Sequence, residues 1–161
     1  MVRRLSPDDV DGYLAIRREA PERSPEAFLA TAQEEAARSR EQVVEGLGRV
    51  VIFGAVAGNE IVGMVGFRRF DMEKARHKGV VWGTYVRPAH RGKGVARALM
   101  EAVIAHARGE VEMLGLSVVT TNASARRLYE SLGFVAYGTE IRAMKLGETY
   151  YDEIHMALRL G

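Results

Sequence analysis

The segment from Tyr85 to Met100, YVRPAHRGKGVARALM, constrains this chain more than any other. It reads as the end of a β-strand, a loop with one proline and two glycines, and the start of a helix carrying Val95, Leu99 and Val103 on one face. Glycines let backbone N–H groups approach an anion with no Cβ in the way. The helix N-terminus adds unpaired N–H donors and the positive end of the helix dipole. Together they suit a phosphate group, and Arg91 and Lys93 add charge. On this loop alone a purely structural strand-to-helix turn competes closely, because short glycine loops are common. The spacing GxxxxGK[ST] of a Walker loop is absent, and so is the GxGxxG of a dinucleotide fold.

The rest of the chain reads as alternating elements. A short first strand ends near Leu5, and Ser6-Pro7-Asp8-Asp9 begins a helix with Val10, Tyr13 and Leu14 on its apolar face. Ser24-Pro25-Glu26 begins a second, polar helix expected to run to about Glu45 and to close at Gly46 and Gly48. Val50–Ala57 and Glu60–Phe70 form a hairpin about Gly58-Asn59. Strands follow at Gly79–Val86, Met113–Val119, Phe134–Glu140 and Glu153–Leu160, with helices at Val95–Arg108 and from Asn122 to Leu132. The fold class is α/β: a mixed sheet flanked by helices, in a single domain over residues 1–161.

Composition removes several functions. With 47% hydrophobic and 27% charged residues the chain is globular, and without cysteine it has no disulfide, thiolate zinc site or thiol nucleophile. No His, Asp and Glu cluster has metal-ligand spacing, so no metal is expected. No apolar run is long enough to span a membrane and no signal peptide is visible, so a cytoplasmic location with no membrane partner is expected. A net charge of +2 is too mild to argue for nucleic acid. The distribution says more: from Lys74 to Met100 there is no Asp or Glu, while seven Lys and Arg residues fall in that window, which suits an anionic partner as well as a solvated basic face. Trp82 is expected in the core, and His90 and His106 in solvent. Ser117, His155 and Asp152 have no nucleophile signature around them, which argues against a hydrolase triad.

A second segment, Asn122 to Phe134, reads NASARRLYESLGF. Asn122 caps a helix and Gly133 stops it, but that structural reading leaves Tyr129 beside Leu128 unexplained. Arg91-Gly92-Lys93-Gly94-Val95-Ala96 resembles the coenzyme-A pyrophosphate loop R/Q-x-x-G-x-G/A of the GNAT N-acetyltransferase superfamily. The second segment resembles that family's helix N-x-x-A-x-x-L-Y-x-x-x-G-F at Asn122, Ala125, Leu128, Tyr129, Gly133 and Phe134. Both matches are complete, and their order and spacing agree with the family.

The resemblance implies a mostly antiparallel sheet of six to seven strands and acetyl-CoA as co-substrate. It implies direct attack of a primary amine on the thioester, the acceptor being a small amine, an amino-acid-like compound or a protein N-terminus. Tyr85, Val86, Arg91, Gly92, Lys93, Gly94, Val95, Ala96, Asn122 and Tyr129 would meet the cofactor. Tyr129 would be the acid for the departing thiolate, and a backbone N–H near Val86 would meet the carbonyl. Many relatives place a glutamate on the strand before the loop, but here Gly79–Val86 holds no acid. His77 just upstream is the nearest candidate base, against the plainer reading of a surface histidine. The acceptor would lie between about Arg18–Phe28 and the last hairpin, about Arg142–Tyr151. A homodimer is left open. A non-catalytic acetyl-CoA sensor on the same fold is the alternative, and Tyr129 argues against it.

Overall fold

The computed structural model describes residues 1–161. Strands β1 (Val2–Arg4), β2 (Val51–Ala57), β3 (Glu60–Arg69), β4 (Lys78–Val86), β5 (Met113–Val119), β6 (Val135–Leu146) and β7 (Thr149–Arg159) form one seven-stranded sheet in the order β1-β2-β3-β4-β5-β7-β6. Neighbours are antiparallel except β4 and β5, which run parallel. Helices α1 (Val10–Arg23), α2 (Ala32–Ala36) and α3 (Arg40–Arg49) precede the hairpin; α4 (Val95–Ala107) and α5 (Ala123–Ser131) follow β4 and β5.

Two apolar clusters cover the two faces. Leu99, Met100, Val103 and Ile104 of α4 pack with Val65, Phe67, Leu114, Leu116 and Met156 on one side. Val10, Tyr13, Leu14 and Ile16 of α1 and Val43 and Leu47 of α3 pack with Ile52, Ile61, Met64 and Tyr85 on the other. This explains why β3 is buried from Ile61 to Phe67 without alternation: both its faces are covered. The hairpin turns at Gly58, whose φ of 59° is the only positive value in the two-residue loop, as a type II′ turn requires.

The expected second helix is not one helix. Pro25–Ala27 is a single 3-10 turn, and the chain then restarts twice. Thr31 accepts from Glu34 N–H and Ser39 from Gln42 N–H, and the Glu34 and Gln42 side chains take the N–H groups of Thr31 and Ser39 in return. Two such reciprocal caps satisfy the orphan donors of two short helices. Gly46 and Gly48 lie inside α3, where a side chain would meet nothing, and do not close it. Strands β6 and β7 run longer than expected, and only the two residues Gly147-Glu148 join them. His106 is not solvated: its ring meets Phe53 and Phe67 edge to face, at 5.9 and 5.5 Å. No helix is long and apolar enough to cross a membrane.

Candidate active site

The parallel pairing of β4 with β5 covers only Lys78–Val80 against Met113–Gly115. Beyond it the two strands part. On its other edge β4 pairs with β3 through a register shift, and Gly83 sits there with φ 65°, a conformation that lets the strand bulge and bend. The N–H of Arg87 points to β3, donating to Val62 O at 2.9 Å. Backbone groups alternate along a strand, so the Val86 N–H faces the gap.

A cleft of about 600 Å³ opens at this split, between the loop after β4, the start of α4 and α5. Tyr85, Val86, Arg91, Gly92, Gly94, Val95, Ala96, Asn122 and Tyr129 all line it. Gly92 and Gly94 have φ of 71° and 77°, and a Cβ at either would stand in open space. Arg91 N–H is taken by Pro88 O, and Ala98 N–H by Gly94 O. Between them, the N–H groups from Gly92 through Arg97 have no partner in the protein. That run of donors, with the dipole of α4 behind it, fits an anionic diphosphate.

The expected basic residues are placed differently. Arg91 Nε donates to Val86 O at 2.8 Å and its guanidinium lies 5.6 Å from the Tyr85 ring centre. Lys93 Nζ donates to Ala89 O at 2.9 Å, and Lys93 is outside the cleft lining. Both cations brace the loop, because its turn leaves carbonyls that need donors. Arg97 and His90 are the basic side chains that line the cleft with Arg91; the sequence reading missed their role. The spacing could have shown it for Arg97, which sits in the exposed first turn of α4.

Asn122 caps α5 by accepting from Ala125 N–H at 3.2 Å, which fixes the helix whose second turn carries Tyr129. Tyr129 is buried, with its ring 6.1 Å from that of Phe134 at 61°. Burial pushes its hydroxyl pKa up, while the Thr84 hydroxyl beside it on β4 works the other way. His77 is not in this site. It lies exposed before the first residue of β4, eight residues of strand from Tyr85, or roughly 26 Å at the rise of a β-strand. Its carbonyl accepts from Glu112 and Met113 N–H, so it anchors the closed end of the split rather than the open one.

On the other side of β4 lies a second cavity of about 740 Å³. It shares Ala27 and Phe28 with the first, so the Pro25–Ala27 turn stands between them. Arg17 crosses its wall: Nε and Nη2 hold Glu35 at 2.6 and 3.2 Å, and Nη1 donates to the Tyr13 hydroxyl at 3.2 Å. Arg38 reaches Glu35 at 3.2 Å from the far side. Trp82 forms part of this wall rather than the deep core, 5.9 Å from the Arg17 guanidinium. Gly66 makes room for it: a Cβ there would come within 2.4 Å of the indole.

Glu19 of α1 accepts from the Tyr85 hydroxyl at 2.9 Å. Arg87 Nε stands 3.0 Å from the other Glu19 oxygen but out of line for a hydrogen bond, so that contact is an ion pair; Arg87 also pairs with Glu60. Burial, then the Glu19 carboxylate, push the Tyr85 hydroxyl pKa up.

Comparison with known proteins agrees with this geometry. The structure of a GNAT-family acetyltransferase from Streptococcus pneumoniae superposes with a TM-score of 0.92 at 21% identity, over 100% of this chain and 99% of that one. An acetyltransferase from Salmonella typhimurium, solved with acetyl-CoA, gives 0.87 at 20% identity over 100% and 94%. A mycothiol acetyltransferase from Propionibacterium freudenreichii subsp. shermanii is 32% identical over 137 residues, 83% of this chain and 42% of that protein. The chain thus spans less than half the length of that relative. The model of the acetyltransferase (GNAT) family matches residues 13–134, a stretch that begins in α1 and takes in the split strands, the glycine loop and the capped helix. The chain belongs to the GNAT acetyltransferase family.

Proposed function

We propose that the protein transfers an acetyl group from acetyl-CoA to a primary amine by direct attack. The observation that carries this reading is the split between β4 and β5, with an anion cradle and a buried phenol on one side and a second cavity on the other. Bound acetyl-CoA would supply the activated acetyl thioester. The free N–H groups from Gly92 to Ala96 would hold its diphosphate, and Thr121, Asn122 and Ala125 would border the arm that enters the split. The Val86 N–H, facing the gap, would meet the carbonyl as negative charge builds on its oxygen. The Tyr129 hydroxyl would give its proton to the departing sulfur; its raised pKa keeps that proton in place at neutral pH. Arg91 would act by fixing Val86 and Tyr85 rather than by touching phosphate.

The acceptor would enter from the second cavity, past Phe28 and Trp82. Its class is a small amine, an amino-acid-like compound or a peptide N-terminus. The test is thiol release from acetyl-CoA with L-alanine amide, glucosamine, spermidine and an alanyl peptide as acceptors. Turnover with any of them above the hydrolysis background supports the enzyme. Tight acetyl-CoA binding with no turnover across a wide amine panel would turn the reading to a sensor.

A further inference from the structure

The mechanism above lacks a group to take the proton of the incoming amine. The strand β4 carries no acid, and His77 lies at the wrong end of it. A different set of residues meets the need on the sheet face that the α4 cluster leaves free. Ser117 on β5 and His155 on β7 are register partners, and Ser117 Oγ lies 2.9 Å from His155 Nδ1. On the far side His155 Nε2 lies 3.1 Å from Glu140 Oε2 of β6. A carboxylate only accepts, so Nε2 carries the hydrogen; in the neutral ring Nδ1 is then bare and accepts from the Ser117 hydroxyl. The three residues form a directed chain in which the serine lone pairs are left for a donor. Ser117 lines the acceptor cavity, two residues past the last residue of β5 that pairs with β4, where those two strands begin to part.

We propose that Ser117, His155 and Glu140 are the proton exit for the acceptor amine. This rests on the amine acetyltransfer proposed above. The Ser117 oxygen accepts an N–H of the substrate ammonium and takes that proton, while its own hydrogen passes to His155 Nδ1. The nitrogen keeps the electron pair of the broken N–H bond, serine is regenerated, and the imidazolium is left beside Glu140. No covalent bond to the enzyme forms. Other groups face this histidine. From β6 the Tyr137 ring lies 6.1 Å away, tilted by 34°. On its own strand Glu153, the register partner of Glu140, has its pKa pushed up by burial first and the Glu140 charge second, with His155 pulling it down. The Pro25–Ala27 turn that packs on β5 and β6 carries Glu26, which lines the donor cleft. The imidazolium thus forms beside the Glu140–Glu153 pair, where a positive charge offsets the repulsion between the two carboxylates.

The relay is testable with and without an acceptor. Nitrogen-15 histidine spectra of the whole protein should show His155 in the Nε2–H form, with its Nδ1 resonance moving in Ser117→Ala; an Nδ1–H tautomer would overturn the chain. In the thiol-release assay, with the panel amine that wild type turns over fastest, His155→Ala should lower kcat/KM for the amine roughly a hundredfold, as removal of a general base does. The rising limb of its pH profile should shift, with acetyl-CoA affinity and melting temperature unchanged. Ser117→Ala should follow it, and Ser117→Thr, which keeps a hydroxyl, should recover most of the rate. A pH profile untouched by His155→Ala would overturn the proposal, as would an acetyl-Ser117 adduct seen by mass spectrometry. If no panel amine reacts, the amine reading fails by itself, while the tautomer result still decides the chain.

Discussion

The two cavities on either side of β4 are built by different means. The donor cleft is made mostly of main chain: a glycine loop, the first turn of α4 and a bent strand, with the buried rings of Tyr85 and Tyr129 in its wall. The acceptor cavity is made of side chains drawn from α1, α2, β4 and β5, locked by ion pairs across the gaps. A main-chain site depends on local backbone shape, which short sequence patterns specify. A side-chain site depends on which elements the fold brings together. The two should therefore fail separately, and substitutions can separate them.

The largest effect should come from Tyr129→Phe, which keeps the ring against Phe134 and removes only the hydroxyl beside Thr84. We expect kcat to fall roughly ten- to a thousandfold, the range of a lost acid catalyst. Acetyl-CoA affinity and melting temperature should barely move. Wild-type turnover, measured where chemistry limits the rate, would refute the role and leave the cleft a binding site alone.

Next comes the acceptor wall. Glu35 is buried and holds Arg17 by two hydrogen bonds and Arg38 by a third. Glu35→Ala strands the Arg17 guanidinium in that wall, and breaking a buried pair by removing one partner costs about 3 kcal/mol. For a chain of this size that is a fall in melting temperature of roughly 6–12 °C. The folded fraction should keep its acetyl-CoA affinity, because the loop from Gly92 to Ala96 shares no element with Glu35. Parallel loss of affinity would show that the two cavities are one cooperative unit.

The same contrast explains how far the sequence could be read. The strand Met113–Val119, the start of α4 at Val95, the cap at Asn122 and the glycine stop at Gly133 were legible because each is written in adjacent residues. The nine cleft residues followed from two short segments for the same reason. The capping boxes TAQE and SREQ were also local and could have divided the second helix; the Ser24-Pro25 start masked them. Arg17 with Glu35, and Ser117 with His155 and Glu140, were out of reach. Their partners are far apart in the chain, and only the crossover that puts β7 between β5 and β6 brings the serine and the histidine side by side. Asp152 takes no part in that chain: it accepts the Arg142 N–H at 2.8 Å, where Arg142 holds a φ of 56°.

Gly94→Val probes the donor side. At φ 77° a β-branched residue is strained, and its side chain would fill the open space beside the free N–H groups. Acetyl-CoA binding should weaken tenfold or more, about 1.4 kcal/mol, with circular dichroism unchanged. Thiol-release rates at saturating acetyl-CoA should fall less than affinity does. Unchanged affinity by calorimetry would remove the diphosphate from this loop.

The smallest effect concerns how the acceptor side is tethered. Arg3 of β1 grips Asp9 by two hydrogen bonds, at 2.8 and 2.7 Å, immediately before α1, the helix that carries Tyr13 and Arg17. The Arg3 guanidinium first, and the Ser6 N–H after it, hold the Asp9 carboxyl at a pKa of about 2, well below its ordinary 3.8. A carboxylate with a depressed pKa stabilises the fold above its unfolded value and loses that stabilisation as pH falls toward the folded one. The window is therefore from about pH 4 down to pH 2. Arg3 is partly exposed, so screening reduces the full linkage value to about 1 kcal/mol. Asp9→Asn should lower the unfolding free energy from denaturant titration by that amount at pH 7, and the two proteins should converge as the pH approaches 2. Acid should loosen α1 and the acceptor wall through this tether, whereas the loop N–H groups that line the donor cleft carry no titratable proton in that range. A difference between wild type and Asp9→Asn as large at pH 2 as at pH 7 would show that the carboxylate contributes by shape and not by charge.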